Sequence, residues 1–473
     1  MSHTYDIVVL GGGTGGYSAA IRAAQLGMSV ALVERDKLGG TCLHRGCIPS
    51  KALLRSAEVY AEAKNGEAYG VTASSVTLDF DRVQQRKAGI VDQLYKGLQL
   101  LMKKNKIDVY AGSGRMIAPS IFAPRSGTIA VELADGETET LVPGHLILAT
   151  GSRPRILPGL EPDGELILTS DEALLMAELP ESMLIVGGGV IGVEWASMLN
   201  DFGVEVTVVE YAPRLVPQED EDISKELELL FRKRGIRVLT GAKLLPESLE
   251  KGEKEATVQV EKDGERMGLS ASRILVSVGR EANIDSIGLE NSDVKVEKGY
   301  LKVNGSFQTA EPHIYAVGDA IGGLQLAHAA AHEGIRAVEH IAGKENGRYE
   351  PHRVPRCIYT RTEIASVGWT EQQAKERGHD VKTGRFPFKV LGKALVQGHT
   401  EGFVKIVADR NTSDLLGVHM IGPHVTEHIS EAALAQLLDA TPWEVGQSIH
   451  PHPTLSEALG EAMLAADGQA IHV

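Results

Sequence analysis

Cys42 and Cys47 stand five positions apart in the stretch Gly39-Gly40-Thr41-Cys42-Leu43-His44-Arg45-Gly46-Cys47-Ile48-Pro49-Ser50-Lys51. Two thiols at this spacing can hold a metal, lie inert, or shuttle electrons as a dithiol/disulfide couple. Structural zinc takes four ligands, and no CxxC or paired-histidine spacing stands nearby to complete a set. A straight helix would hold a bridge poorly. Five helical residues rise about 7.5 Å and turn about 500°, whereas disulfide partners want Cα atoms about 4.4–6.8 Å apart. A Cys42–Cys47 bridge therefore needs a distorted first turn or an irregular loop, and Gly39, Gly40 and Gly46 supply that freedom. A helix is expected after Pro49, from Ser50 to Lys64. Its N-terminal end and the cation of Lys51 both favour thiolate. A strained, low-pKa pair in a short loop is the labile, catalytic kind. The reading is a redox disulfide, with a zinc half-site or two inert thiols as the alternatives.

His452 and Glu457 form a second candidate, five positions apart and just ahead of an expected helix. Imidazole titrates near neutral pH, and a carboxylate can fix its tautomer for acid/base work. Spacing alone does not separate this pair from a surface His–Glu contact, because the chain has 16 histidines. Cys357 lies in a strand-like run and reads as a core residue. His450, His328 and His332 receive no role.

Two stretches position a nucleotide. Tyr5 to Leu10 reads as a buried strand that runs into Gly11-Gly12-Gly13-Thr14-Gly15-Gly16. A helix follows, then a strand from Ser29 to Val33 that ends on Glu34. In this GxGxxG unit Gly11 permits the tight turn, Gly13 admits a pyrophosphate, and Gly16 packs helix on strand. Glu34 is placed to accept from a ribose hydroxyl. A second unit opens at Met183, with Gly187, Gly189 and Gly192, and its strand from Glu205 to Val209 ends on Glu210. Two complete fingerprints imply two dinucleotides. A carboxylate at Glu210 accepts from a free 2′-hydroxyl and repels a 2′-phosphate, so NAD is favoured over NADP.

The fold class expected is α/β, with two Rossmann-like dinucleotide-binding domains and an α+β C-terminal domain. A long amphipathic helix is expected over Phe80 to Lys104, with Leu94, Leu98, Leu101 and Met102 at helical spacing. His145 to Thr150 reads as a return strand ending in Gly151. The run from Thr309 to Asp319 reads as a buried strand that delivers an acid after glycine, and Leu326 to Ala342 as a helix. Five strand-like runs and three helices follow between Cys357 and Ala466.

Composition bounds the function. The chain has 473 residues with 43% hydrophobic and 23% charged content, ordinary values for a globular protein. A net charge of −15 argues against a nucleic-acid partner. Three cysteines do not make a secreted disulfide framework. No signal-peptide pattern opens the chain, and no apolar run reaches the ~18 residues of a membrane span. The expectation is a cytoplasmic protein that does not enter a membrane.

Together these motifs resemble the flavin-dependent pyridine nucleotide–disulfide oxidoreductases, and within them the dihydrolipoamide dehydrogenase branch that serves 2-oxo acid dehydrogenase complexes. The resemblance runs from about Tyr5 to the C-terminus. It is most specific at Gly40-Thr41-Cys42 through Lys51, at the motif ending in Asp319, and at His450-Pro451-His452-Pro453-Thr454-Leu455-Ser456-Glu457. It implies an FAD-binding domain over 1–150, an NAD-binding domain over 151–275, a central segment over 276–347 completing the FAD side, and an interface domain over 348–473. The first fingerprint would hold FAD, joined by Lys51, Gly151, Asp319 and Ala327. Gly187, Gly189, Gly192, Glu194, Glu210 and Gly279 would form the NAD side, with Glu194 paired to Lys51 beside the flavin. Cys47 would face the flavin and Cys42 would exchange with substrate. His452, oriented by Glu457 after a cis His452–Pro453 bond, would act as acid/base in the other subunit's site of a homodimer. No metal is implied.

The reaction implied is dihydrolipoyl-protein + NAD⁺ → lipoyl-protein + NADH + H⁺. The partners implied are a lipoyl domain and the acyltransferase core, the core meeting acidic Glu427 and Glu431. A glutathione-reductase-like enzyme and a non-catalytic scaffold subunit are the alternatives.

Overall fold

The computed structural model describes residues 2–121, 124–344, 347 and 349–472. The chain forms two compact units. One comprises Met1–Ala52, Asp81–Arg155 and Arg280–Tyr349, the other Leu53–Phe80, Ile156–Gly279 and Glu350–Val473.

The first unit is built on a parallel sheet. Its strands run in the order Asp108–Met116, Val30–Glu34, Ser2–Leu10, Thr138–Leu148 and Ile314–Ala316. Strand Ile129–Leu133 is the antiparallel exception, pairing with Asp108–Met116 and Thr138–Leu148. Ile7, Val8 and Val9 are fully buried, as an unbroken apolar strand covered on both faces must be. Helix Thr14–Gln25 packs Ala19, Ala20 and Ala23 inward. These small side chains let helix and sheet approach closely. Helix Phe80–Lys104 forms where its periodicity places it, but only a narrow arc is covered. Leu98 and Met102, one turn apart, are buried, while Leu94 and Leu101, on one flank of that stripe, stay exposed.

The second unit carries a similar parallel sheet, ordered Arg237–Leu239, Glu205–Val209, Ser182–Val186, Arg273–Val276 and Ile167–Leu168. Helix Val190–Phe202 follows its glycine loop. The C-terminal part of the unit is a five-stranded antiparallel sheet, ordered Arg356–Ile358, Glu363–Gly368, Leu415–Gly422, Phe403–Asp409 and Val381–Pro387. Helices Val425–Leu437 and Glu457–Ala465 bury Ile429, Leu459 and Met463 in a core with Phe386, Ile406 and Val418.

A buried cation ties segments of this unit together. Lys405, 4% exposed, reaches Asp220 Oδ1 at 2.9 Å, Asp222 Oδ2 at 2.7 Å and Glu371 Oε2 at 2.8 Å. Asp220 also caps helix Glu221–Lys233, accepting the Asp222 N–H at 3.1 Å.

Candidate active site

The two cysteines meet where a short helix stops and a long one begins. Gly39, at φ +103°, caps the five-residue helix Gly40–His44 that carries Cys42. A Cβ at Gly39 would strike Leu43 at 2.4 Å, so no larger residue fits there without a shift. The chain turns at Arg45-Gly46, and the long helix is Cys47–Lys64, starting three residues earlier than the Ser50 expected. Pro49 is no barrier, because it falls in the first turn where backbone N–H groups lack helical partners anyway. Ser50 Oγ donates to Gly46 O at 2.8 Å and supports that turn.

Cys42 and Cys47 are free thiols here, half-buried, and they hydrogen-bond each other. The expectation of a low-pKa pair needs correction for Cys42. Its hydrogen bond to Cys47, its burial and the charge of Cys47 push the Cys42 thiol far above its ordinary value, against the opposing pull of Lys51 and Thr14. With the two sulfurs facing each other, a charge on one opposes a charge on the other, so the second ionisation is strongly disfavoured.

The dithiol loop lies directly on the first fingerprint. Gly39 N–H donates to Gly12 O at 2.8 Å, and a Cβ on Gly40 would sit 2.8 Å from Gly13 Cα. Thr14, first residue of the fingerprint helix, hydrogen-bonds Cys42. Composition and spacing did not single out Thr14, because it occupies a free position of the motif.

The two glycine loops share one construction. Gly16 and Gly192 each lie so close to the carbonyl of Gly11 or Gly187 that a Cβ would be 1.9 Å from it. A Cβ placed on Gly13 or Gly189 would meet nothing within 4 Å. Glu34 accepts from Gly12 N–H at 2.7 Å and Asp36 N–H at 2.8 Å. Glu210 accepts from Gly188 N–H at 2.5 Å and Ala212 N–H at 2.6 Å. Each acid therefore braces its own loop, a duty the sequence reading did not anticipate. Gly151 turns at φ +69°, and Gly279 is exposed at φ +108°.

Asp319 is half-buried in the turn Gly318–Ile321. Ser152 Oγ donates to its Oδ2 at 2.5 Å, and Arg280 Nε lies 4.0 Å away. Neither anchor was foreseen, since both are distant in sequence. Ala327 opens helix Ala327–Ile341. Two buried polar atoms beside these elements have no partner among the described residues: Thr150 Oγ1, next to Gly151, and Gln325 Nε2, two residues before Ala327. Such groups cost free energy unless a ligand meets them. With the open space at Gly13 they fit a bound dinucleotide. Lys51 lies on the long helix, close enough for its charge to act on Cys42. Glu194 is buried in helix Val190–Phe202 and accepts Tyr359 N–H at 2.9 Å.

His452 Nδ1 donates to Glu457 Oε1 at 2.9 Å, leaving an exposed imidazole with Nε2 outward. Glu457 Oε2 accepts Thr454 N–H at 2.8 Å. Burial works to raise the Glu457 pKa, but Thr454 N–H and His452 together hold it below the ordinary value. The His452–Pro453 peptide is cis, as expected. His450 is not idle: its Nε2 donates to Glu431 Oε1 at 2.8 Å, which raises its pKa although burial opposes. Glu431 is thus engaged within its own chain, whereas Glu427 stays exposed. Leu434, Leu437, Leu438, Trp443 and Ile449 are exposed in the single chain, an apolar surface on the C-terminal part.

The chain belongs to the pyridine nucleotide-disulphide oxidoreductase family, whose models match residues 5–334 and, for the dimerisation domain, residues 354–463. It is 64% identical over 473 residues to a dihydrolipoyl dehydrogenase of Bacillus subtilis, covering 100% of both chains. Identity to one from Zymomonas mobilis is 43%, again over the whole of each. Its fold is similar to that of LpdA from Mycobacterium tuberculosis, with a TM-score of 0.90, 30% identity and coverage of 98% of this chain and 99% of that one. These relatives put it in the dihydrolipoamide dehydrogenase branch, an FAD-dependent disulfide oxidoreductase group that passes electrons to NAD. The dimerisation domain and the exposed apolar surface upon it support a homodimer. No helix among the described residues is long and apolar enough to cross a membrane.

Proposed function

We propose that this chain reoxidises dihydrolipoyl groups carried on a lipoyl domain, through Cys42 and Cys47, and delivers the electron pair to NAD. The observation that carries the reading is the packing of the dithiol loop on the first glycine fingerprint, with Gly39 N–H on Gly12 O and Thr14 against Cys42. That contact sets a redox couple beside a dinucleotide cradle.

His452, contributed across the homodimer interface and oriented by Glu457, takes the proton from one dihydrolipoyl thiol. The resulting thiolate attacks the Cys42 sulfur of the oxidised bridge, and Cys47 leaves as a thiolate. The second lipoyl thiol then attacks the mixed disulfide, closes the lipoyl ring and frees Cys42. Two electrons now reside on the pair, and His452 holds or passes on the proton. FAD, when bound, relays those electrons to the nicotinamide. Gly11, Gly13, Gly16, Glu34, Gly151, Asp319 and Ala327 would hold the flavin nucleotide, and the charge of Lys51 would steady the thiolate. Gly187, Gly189, Gly192, Glu210 and Gly279 hold NAD.

In this reading the domains run 1–150, 151–275, 276–347 and 348–473. The enzyme works in the cytoplasm on the acyltransferase core of a 2-oxo acid dehydrogenase complex. Glu427 is the better of the two acidic candidates for meeting that core, since Glu431 is taken by His450. The test compares two assays on one preparation. NADH formation from free dihydrolipoamide and NAD⁺ is expected. NADPH oxidation by glutathione disulfide, with no turnover of dihydrolipoamide, would overturn the reading.

A further inference from the structure

Glu333 lies within helix Ala327–Ile341 and is 7% exposed. A carboxylate so buried is costly unless donors meet it. Two do: Gly318 N–H lies 2.7 Å from Oε2, and Tyr349 Oη donates to Oε1 at 3.2 Å. Gly318, at φ +71°, opens the turn that carries Asp319. The same helix presses on that turn one turn earlier, where a Cβ on Gly318 would meet Ala330 Cβ at 3.2 Å. The helix is in turn set against the first fingerprint helix, since a Cβ on Gly334 would lie 2.4 Å from Gly15 O. Glu333 therefore links the fingerprint helix, through its own helix, to the Val317–Gly318 peptide that leads into Asp319.

We propose that Glu333 is a positioning residue for the flavin: it fixes the Val317–Gly318 peptide, and with it the turn at Gly318, so that Asp319, held at Oδ2 by Ser152, presents Oδ1 to the polyol chain of FAD. This rests on the reading of Asp319 as an FAD contact. Burial and the nearby Asp319 charge raise the Glu333 pKa, while Gly318 N–H and Tyr349 lower it. The bond to Gly318 needs only an acceptor, so an amide should replace the carboxylate while an isosteric thioether should not.

The experiment follows FAD release from the purified holoenzyme by the rise in free-flavin fluorescence. Glu333→Met should speed release at least tenfold, and Glu333→Gln should stay within about threefold of the parent. Asp319→Ala, run in parallel, should release FAD faster than either. If Asp319→Ala retains FAD like the parent, the reading of Asp319 fails and the proposal falls with it. If Asp319→Ala loses FAD while Glu333→Met holds it, the proposal alone is overturned. Equal loosening by Glu333→Met and Glu333→Gln would also overturn it, because the acceptor would then not be what matters. Should Glu333→Met fail to fold, Glu333→Asp serves instead. Its carboxylate is one methylene short of Gly318 N–H, so faster release is expected and parent-like release would refute the role.

Discussion

The paired glycine loops allow a prediction in which neighbouring positions give opposite outcomes. Gly189→Ala adds a methyl where nothing lies within 4 Å. Folding should be untouched, with a change in Tm of about 1–2 °C at most for a stability change under ~0.5 kcal/mol. The methyl occupies the space a pyrophosphate needs, so KM for NAD should rise at least tenfold, about 1.4 kcal/mol of binding. Gly192→Ala places its Cβ 1.9 Å from Gly187 O and 2.9 Å from Ser277 Oγ. Both atoms belong to the strand-to-loop connections of the sheet, so the helix must retreat by about 1 Å, an overpacking cost of about 1–3 kcal/mol or more. At about 2–4 °C per kcal/mol, Tm should drop by several degrees. Differential scanning calorimetry and NAD titration of the two variants, each with its flavin absorbance checked, separate the effects. A Gly189→Ala enzyme with unchanged KM and a Gly192→Ala enzyme with unchanged Tm would refute the assignment of one glycine to ligand approach and the other to packing.

Further outcomes follow from the same geometry. Lys405→Met should destabilise the chain by about 3–5 kcal/mol, since it strands Asp220 in the interior without its cation; chemical denaturation measures it, and a change under 1 kcal/mol would mean the cluster is solvated. Although burial tends to raise the Asp220 pKa, His419 and Lys405 bring it below its ordinary value; its stabilising contribution is therefore present above the unfolded-state pKa and should be lost as pH falls through the depressed one, visible as an acid-side fall in Tm that Lys405→Met diminishes. Glu457→Gln should cut turnover with dihydrolipoamide by about 100-fold while leaving the flavin spectrum unchanged, and parent-like turnover would mean Glu457 does not orient His452. For cofactor choice, kcat/KM should favour NAD over NADP by at least about tenfold, and Glu210→Ala should erode that preference along with the Gly188 and Ala212 bonds.

Much of the fold was legible because periodicity and punctuation agreed. Helix Phe80–Lys104 falls where its apolar spacing puts it, and strand Glu205–Val209 runs into the acid Glu210 as expected. The helix after the cysteines starts three residues ahead of the Ser50 that Pro49 suggests, because the lack of an N–H at Pro49 is harmless in a first turn. The ionisation of Cys42 was misjudged for a different reason. Helix N-termini and Lys51 are visible in sequence, but the facing Cys47 sulfur that dominates is a matter of distance. Ser152, Arg280, Thr14 and Glu333 went unnoticed on the same ground. They act through contacts between segments up to 167 residues apart, and no local pattern marks a serine or glutamate that braces another residue's loop. His450 and Glu431 were both noticed, but only the folded chain pairs them, 19 positions apart.

The central claim is that Cys42 and Cys47 carry electrons from a dithiol substrate toward NAD. Its most direct test is an anaerobic titration of the holoenzyme with dihydrolipoamide, followed by NAD⁺. One equivalent of dihydrolipoamide should bring up a long-wavelength absorbance band from the Cys47 thiolate beside the flavin, and NAD⁺ should discharge it with stoichiometric NADH. The Cys42→Ser enzyme should show such a band without any reductant, and Cys47→Ser should never show it. Flavin reduction by dihydrolipoamide in an enzyme lacking either cysteine would contradict the account, as would a band that survives in Cys47→Ser.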